Sequence, residues 1–232
     1  MKLNNKLAVV TGSSKGIGLA LCELLLEKSM VVVGLSRTPT QIQHPSFIHL
    51  FCDVGDENQV NHAFNEIKKQ INLPIQVLIN NAGIGIFSKF EETPAEEWRK
   101  IYDVNVHSIL YCSKAVIPDM KFCKEGHIIN ISSIAGKSGI ENFSAYCGTK
   151  FAVRGISEAM FKELREYGIK VSCILPGSVN TNFFDNLSGF VKNTDILEAK
   201  EVAKVILSLL ETEPNFLPTE LEIRPLRPKK RG

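Results

Sequence analysis

The stretch LAVVTGSSKGIGLALCELLLEK, residues 7–28, decides the fold. Its first five residues, Leu7 to Thr11, read as a short buried strand. Its last part, Gly16 to Lys28, carries apolar residues at helical spacing. Between them lies TGSSKGIG, Thr11 to Gly18. Its glycines allow a tight turn and a close backbone approach by a ligand, and the helix N-terminus that follows favours negative charge. The position after a strand and before a helix makes a pyrophosphate cradle a better reading than a bare glycine turn.

Outward from this unit the pattern repeats. MVVVGLS and FIHLF read as the second and third strands, with an amphipathic helix from about Asp56 to Ile71 after them. PIQVLIN is the fourth strand. A long helix is predicted from about Pro94 to Met120, with Thr93 as its cap and Pro94 in its first turn. HIINISS, the helix around Tyr146, IKVSCILPG, the helix KEVAKVILSLLE and the strand TELEIRP complete the chain. Short apolar strands alternating with helices predict an α/β, doubly wound, Rossmann-type parallel sheet of about seven strands covered on both faces. No repeat or linker interrupts residues 1–232, so one domain is expected. Residues 178–195 are polar with Phe183, Phe184 and Phe190 among them, and read as a substrate flap. Residues 226–232 form a basic tail, read as flexible.

Composition narrows the function. Hydrophobic residues make up 44% and charged residues 22%, as in an ordinary globular protein. The net charge of +2 offers no field that would attract nucleic acid or a membrane surface. The tail RPLRPKKRG carries the only basic run, and a solvated terminus is the reading adopted for it over DNA binding. Six scattered cysteines and five isolated histidines form no metal-ligand pattern, so no metal site is expected. Free thiols fit a reducing, cytoplasmic setting. The N-terminal apolar run is too short for a signal peptide, and no stretch approaches the ~18 apolar residues of a membrane span.

Tyr146 and Lys150 stand one helical turn apart in FSAYCGTK. A cation beside a phenol stabilises the phenolate, so the tyrosine pKa is expected to move down toward the working pH. Four further segments give this pair a context: the G-x-x-x-G-x-G spacing of the glycine turn, NNAG at Asn80 to Gly83, Asp53-Val54 after the third strand, and PGSVNT at Pro176 to Thr181. Together they resemble the short-chain dehydrogenase/reductase family over nearly the whole chain. The resemblance implies a catalytic set of Asn105, Ser133, Tyr146 and Lys150. Strand alternation turns only one of Ser132 and Ser133 toward the cleft, and the family interval before Tyr146 selects Ser133. It also implies a nicotinamide cofactor held by Thr11, Gly12, Lys15, Gly16, Ile17, Gly18, Asp53, Val54, Asn81, Ala82, Gly83, Tyr146, Lys150, Pro176, Gly177, Val179 and Thr181.

Charge bears on which cofactor. An NAD site places an acid about 20 residues beyond the glycine turn to hold the ribose 2′-OH. Here that position reads Ser36-Arg37, and Lys15 lies inside the turn. Two cations without the acid favour a 2′-phosphate, so NADP is expected over NAD. The implied reaction is reduction of a ketone or aldehyde. Ser133 and Tyr146 would hydrogen-bond the carbonyl oxygen, Tyr146 would give its proton, Lys150 would support the phenolate and hold the ribose, and Asn105 would anchor a water chain.

The expected cleft walls are Ile84, Ile86 and Phe87, the segment from Ala135 to Phe143, and the flap with Asn182 and Asn186. They are mostly apolar. A 3-oxoacyl thioester on acyl-carrier protein is the main rival substrate, and would need a basic patch such as Lys137, Arg154 and Lys192. A cofactor-binding sensor without chemistry is the alternative of a different class; it would need the glycine turn but not the four catalytic residue types. The resemblance further implies a homodimer or homotetramer packed through the long helix and the Tyr146 helix.

Overall fold

A computed structural model of the chain describes residues 1–181, 183 and 196–227. Its strands are β1 (Leu7–Thr11), β2 (Val31–Ser36), β3 (Phe47–Phe51), β4 (Ile75–Asn80), β5 (Gly126–Ile131), β6 (Ile169–Pro176), β7 (Val179–Asn180), β8 (Leu197–Glu198) and β9 (Glu220–Ile223). The main helices are α1 (Gly16–Glu27), α2 (Glu57–Gln70), α3 (Ala95–Tyr102), α4 (Ser108–Cys123), α5 (Ser144–Leu164) and α6 (Ala199–Leu210). Seven strands form one parallel sheet in the order β3-β2-β1-β4-β5-β6-β9. The short β7 and β8, which the sequence did not signal, pair separately.

Strand alternation splits the core between the two faces. Ala8, Val10, Val32, Ile79 and Ile129 point to the face covered by Leu21 and Leu25 of α1 and Val202 and Ile206 of α6. Leu7, Val9, Val33, Leu78 and Ile128 point to the other, against Val60, Phe64 and Ile67 of α2 and Val116 and Met120 of α4. Every residue of β1 and β5 is buried, which is why those strands read as continuous apolar runs. The order reverses between β1 and β4, and that switch point opens a crevice at the carboxyl ends of the strands.

The predicted helix from Pro94 to Met120 is one rod in three parts. Between α3 and α4, Asp103–His107 forms a π turn. Its start also differs from expectation. Pro94 is the extended residue that caps α3, while the Thr93 hydroxyl donates to the Lys89 carbonyl. Within the predicted flap, Asn182 and residues 184–195, with Phe184, Asn186, Phe190 and Lys192, lie outside the described residues, as do residues 228–232 of the tail. Among the described residues, no helix is long and apolar enough to cross a membrane.

Candidate active site

The glycine turn between β1 and α1 is shaped by close approach. Gly12 and Gly16 have φ of +67° and +59°, a region that favours glycine. A Cβ on Gly12 would stand 2.9 Å from the Ala82 Cα, and one on Gly18 would stand 2.3 Å from the Gly12 carbonyl oxygen. The NNAG segment clamps this turn from the side. The Thr11 hydroxyl accepts from the Asn81 and Ala82 backbone N–H groups at 2.9 and 3.0 Å. The Asn81 amide donates to the Thr11 and Gly12 carbonyls at 2.9 and 3.2 Å.

Beside the turn lies a cavity of about 520 Å³. Gly12, Lys15, Gly16, Ile17, Ser36, Arg37, Asp53, Val54, Asn81, Ala82, Gly83, Ser133, Tyr146, Lys150, Pro176, Gly177, Val179 and Thr181 all line it. Thr11 and Gly18 sit behind that lining as its support. Sequence reasoning missed Ser14 and Thr38, which also line it and stand next to residues already singled out. The cradle is backbone-lined, closed to side chains at Gly12 and Gly18, and set against a helix N-terminus. These features suit a nicotinamide dinucleotide. Over the turn comes the PGSVNT loop: the Thr181 methyl would lie 3.0 Å from a Cβ on Gly16.

At the ribose end, Arg37 pairs with Asp53 at 3.6 Å. Ser36 is 6% exposed, and its hydroxyl donates to the Thr38 carbonyl at 2.7 Å. Its one proton is therefore used within the protein.

The other end gathers the four remaining candidates. Ser133 follows β5 and its hydroxyl oxygen accepts from the Ala135 N–H at 3.1 Å. Its hydroxyl is also the neighbour that draws the Tyr146 pKa downward. Ser132 also borders the cavity, but its hydroxyl donates to the Lys150 carbonyl at 2.8 Å, docking α5 on β5. Lys150 is 4% exposed; its Nζ donates to the Ile131 carbonyl at 2.9 Å and stands 5.6 Å from the Tyr146 ring centre. Asn105 does not line the cavity. It lies in the π turn behind Gly83 and is 2% exposed. It accepts from the Ile84 N–H, and donates to the Ile84 carbonyl and to the Thr149 hydroxyl, at 2.9, 2.9 and 3.0 Å. Thr149 in turn donates to the Tyr146 carbonyl at 2.7 Å.

The electrostatics differ from the expectation for Tyr146. Burial pushes its phenol up to about 12, and the main pull downward comes from the Ser133 hydroxyl. Burial also pushes Lys150 down to about 8. The cation is cut off from water and engaged by a carbonyl on β5, and burial dominates the Tyr146 pKa.

Ile84, Gly85, Ile134, Ala135, Ile140, Phe143 and Phe183 form the apolar wall beyond Tyr146. Of the other expected wall residues, Phe87 packs behind Phe143, ring centres 5.0 Å apart, and Ile86 does not line the cavity. The expected basic patch is also changed. Lys137 pairs with Glu222 and Glu220 at 2.8 and 3.2 Å, and Arg154 pairs with Glu220 at 2.8 Å.

A family model described as short chain dehydrogenase matches residues 6–191. An uncharacterised oxidoreductase of Staphylococcus aureus strain USA300 is 32% identical over 97% of this chain and 99% of its own. Among solved structures, the ligand-free aldohexose dehydrogenase of Thermoplasma acidophilum superposes with a TM-score of 0.85 at 28% identity, covering 95% of this chain and 93% of that one. A 3-ketoacyl-(acyl-carrier-protein) reductase of Brucella melitensis in complex with NADH, at 22% identity and a TM-score of 0.88 over 95% and 97% of the two chains, shares the fold. A glycine-turn crevice at the sheet's switch point, Ser133 and Tyr146 on one cavity and a matched family model over most of the length agree: the chain belongs to the short-chain dehydrogenase family and is an oxidoreductase.

Proposed function

We propose that the protein reduces an apolar ketone or aldehyde with NADPH, using Tyr146 as the proton donor. The observation that carries this reading is the meeting of Ser133, Tyr146 and Lys150 at one end of the cavity whose other end is the glycine cradle. When bound, the nicotinamide supplies the hydride. Ser133 and Tyr146 face the same cavity. A carbonyl oxygen seated against both hydroxyls receives two hydrogen bonds where its negative charge develops. Tyr146, held in its protonated form by burial, gives its proton to that oxygen. Lys150 then faces the resulting phenolate with its charge. That role explains an ammonium kept 4% exposed, which a mere sensor of the cofactor would hold at a desolvation cost with no return in chemistry. The Asn105 amide is engaged by Ile84 and Thr149, so in this reading its part is to fix the π turn.

Cofactor choice rests on the cations at the ribose end. Arg37 lines the cavity and Lys15 is exposed within the turn, with no acid directly after β2. Substrate class rests on the wall of Ile84, Ile134, Ile140, Phe143 and Phe183, which suits an apolar carbonyl better than a polyol. Lys137 and Arg154 are already paired with Glu220 and Glu222, which argues against their greeting an acidic carrier protein. The protein acts as a homo-oligomer in this reading, with Leu110 of α4 and Phe151 of α5 exposed on the helices that would pair. NADPH oxidation across ketones, aldehydes, diketones and 3-oxoacyl thioesters tests the proposal. Turnover of apolar carbonyls supports it, and turnover of 3-oxoacyl thioesters alone replaces it with the rival reading.

A further inference from the structure

Beneath the ribose end of the cavity, β3 contributes a side chain that neither the motif pattern nor the proposed mechanism uses. His49 lies beside Ser36 of β2, its Nε2 2.8 Å from the Ser36 hydroxyl oxygen. Ser36 already spends its proton on the Thr38 carbonyl at 2.7 Å. The bond with the histidine must therefore run from Nε2–H to the Ser36 oxygen, which fixes the imidazole tautomer. Ser13, fully buried in the glycine turn, donates to the Ser36 oxygen as well, at 3.4 Å. Ser36 thus joins the glycine turn, β3 and the first residues after β2.

What this network holds in place is the corner that carries Arg37. The Ser36 hydroxyl holds the Thr38 carbonyl across the corner, and Arg37 lies between the two residues. The guanidinium is 55% exposed and meets Asp53 only at 3.6 Å. Such an exposed pair contributes little and leaves the fork open to a better anion. A fork grips a phosphate well only when its backbone is held, because the two parallel hydrogen bonds have fixed geometry. An unpinned corner would leave Arg37 a mobile surface cation.

We infer that His49 is a positioning residue for the 2′-phosphate of NADP, acting through Ser36 and the Thr38 carbonyl to hold Arg37 at the ribose end of the cavity. This rests on the NADP reading above. The 2′-OH of NAD makes no demand on the fork, so the network bears on discrimination more than on dinucleotide binding as such.

The test is calorimetric affinity for NADP+ and NAD+ in the wild type, His49→Leu and His49→Gln, with thermal unfolding of each. His49→Leu is expected to lower the NADP+ over NAD+ affinity ratio about tenfold, the effect of losing one part-buried hydrogen-bond donor. His49→Gln, which places an N–H near the same oxygen, should recover most of the ratio. If His49→Leu does not fold, Ser36→Ala removes the same junction and should lower the ratio likewise. An unchanged ratio, or equal loss of both affinities, overturns the inference. A wild-type ratio near one overturns the NADP reading and this inference with it; a wild-type preference that survives the substitutions overturns the inference alone.

Discussion

At the scale of single residues, the chemistry of the cleft turns on two shifted groups. Tyr146 is held protonated up to about 12, so it is a competent acid throughout the neutral range. Lys150 is pushed down to about 8, so its charge is present below that pH and lost above it. Both required forms, phenol and ammonium, coexist only on the acid side of about 8. The rate of carbonyl reduction is accordingly expected to hold through neutrality and fall as pH rises through about 8; a pH–rate profile that climbs through that range would contradict this. Stability moves the other way. Below about 8 the folded state carries a buried ammonium, while the unfolded lysine stays charged to its ordinary pKa near ~10.4. Unfolding then takes up protons between the two values, so the penalty is full at neutral pH and fades as pH rises. Lys150→Met should therefore raise Tm more at pH 7 than at pH 10, measured by calorimetry.

At the scale of elements, the site depends on how a turn and a helix are braced. Gly18→Ala would drive a Cβ to 2.3 Å from the Gly12 carbonyl oxygen and 2.5 Å from the Asn81 amide. Overpacking of backbone against backbone costs about 1–3 kcal/mol, and here it also spreads the cradle, so both Tm and NADP+ affinity should drop. An Ala variant with wild-type affinity would show that the cradle does not seat the dinucleotide. The π turn makes a second case. Thr149→Val keeps the side-chain shape but takes the acceptor from one Asn105 amide hydrogen and the donor from the Tyr146 carbonyl. A stability loss of roughly 1–3 kcal/mol is expected for the stranded buried amide, read by denaturant unfolding. The glycine turn was legible because its spacing follows from local backbone geometry. Thr149 and His49 were not, because each acts through a partner on another strand or turn.

At the scale of the whole molecule, alternation of apolar strands and helices was enough to predict the parallel sheet of seven strands and the crevice at its carboxyl edge. Ser133, Tyr146 and Lys150 were equally readable as residue types at fixed intervals, and the three line one cavity. What the linear pattern hid was charge balance in space. Lys137 and Arg154 read as free cations, yet β9 brings Glu220 and Glu222 against them, and Glu222 is held down to about 2 by Lys137 and Arg224. Tyr146 and Lys150 read as a cation lowering a phenol, yet burial acts on both and dominates. The central claim of the account is that this cleft passes a proton from Tyr146 to a carbonyl. It is tested most directly by NADPH-dependent carbonyl turnover in Tyr146→Phe, with NADP+ affinity measured on the same preparation. The account predicts affinity within about twofold of wild type and kcat lower by about 10²–10⁴, the usual worth of a positioned general acid; kcat within a few-fold of wild type would contradict it.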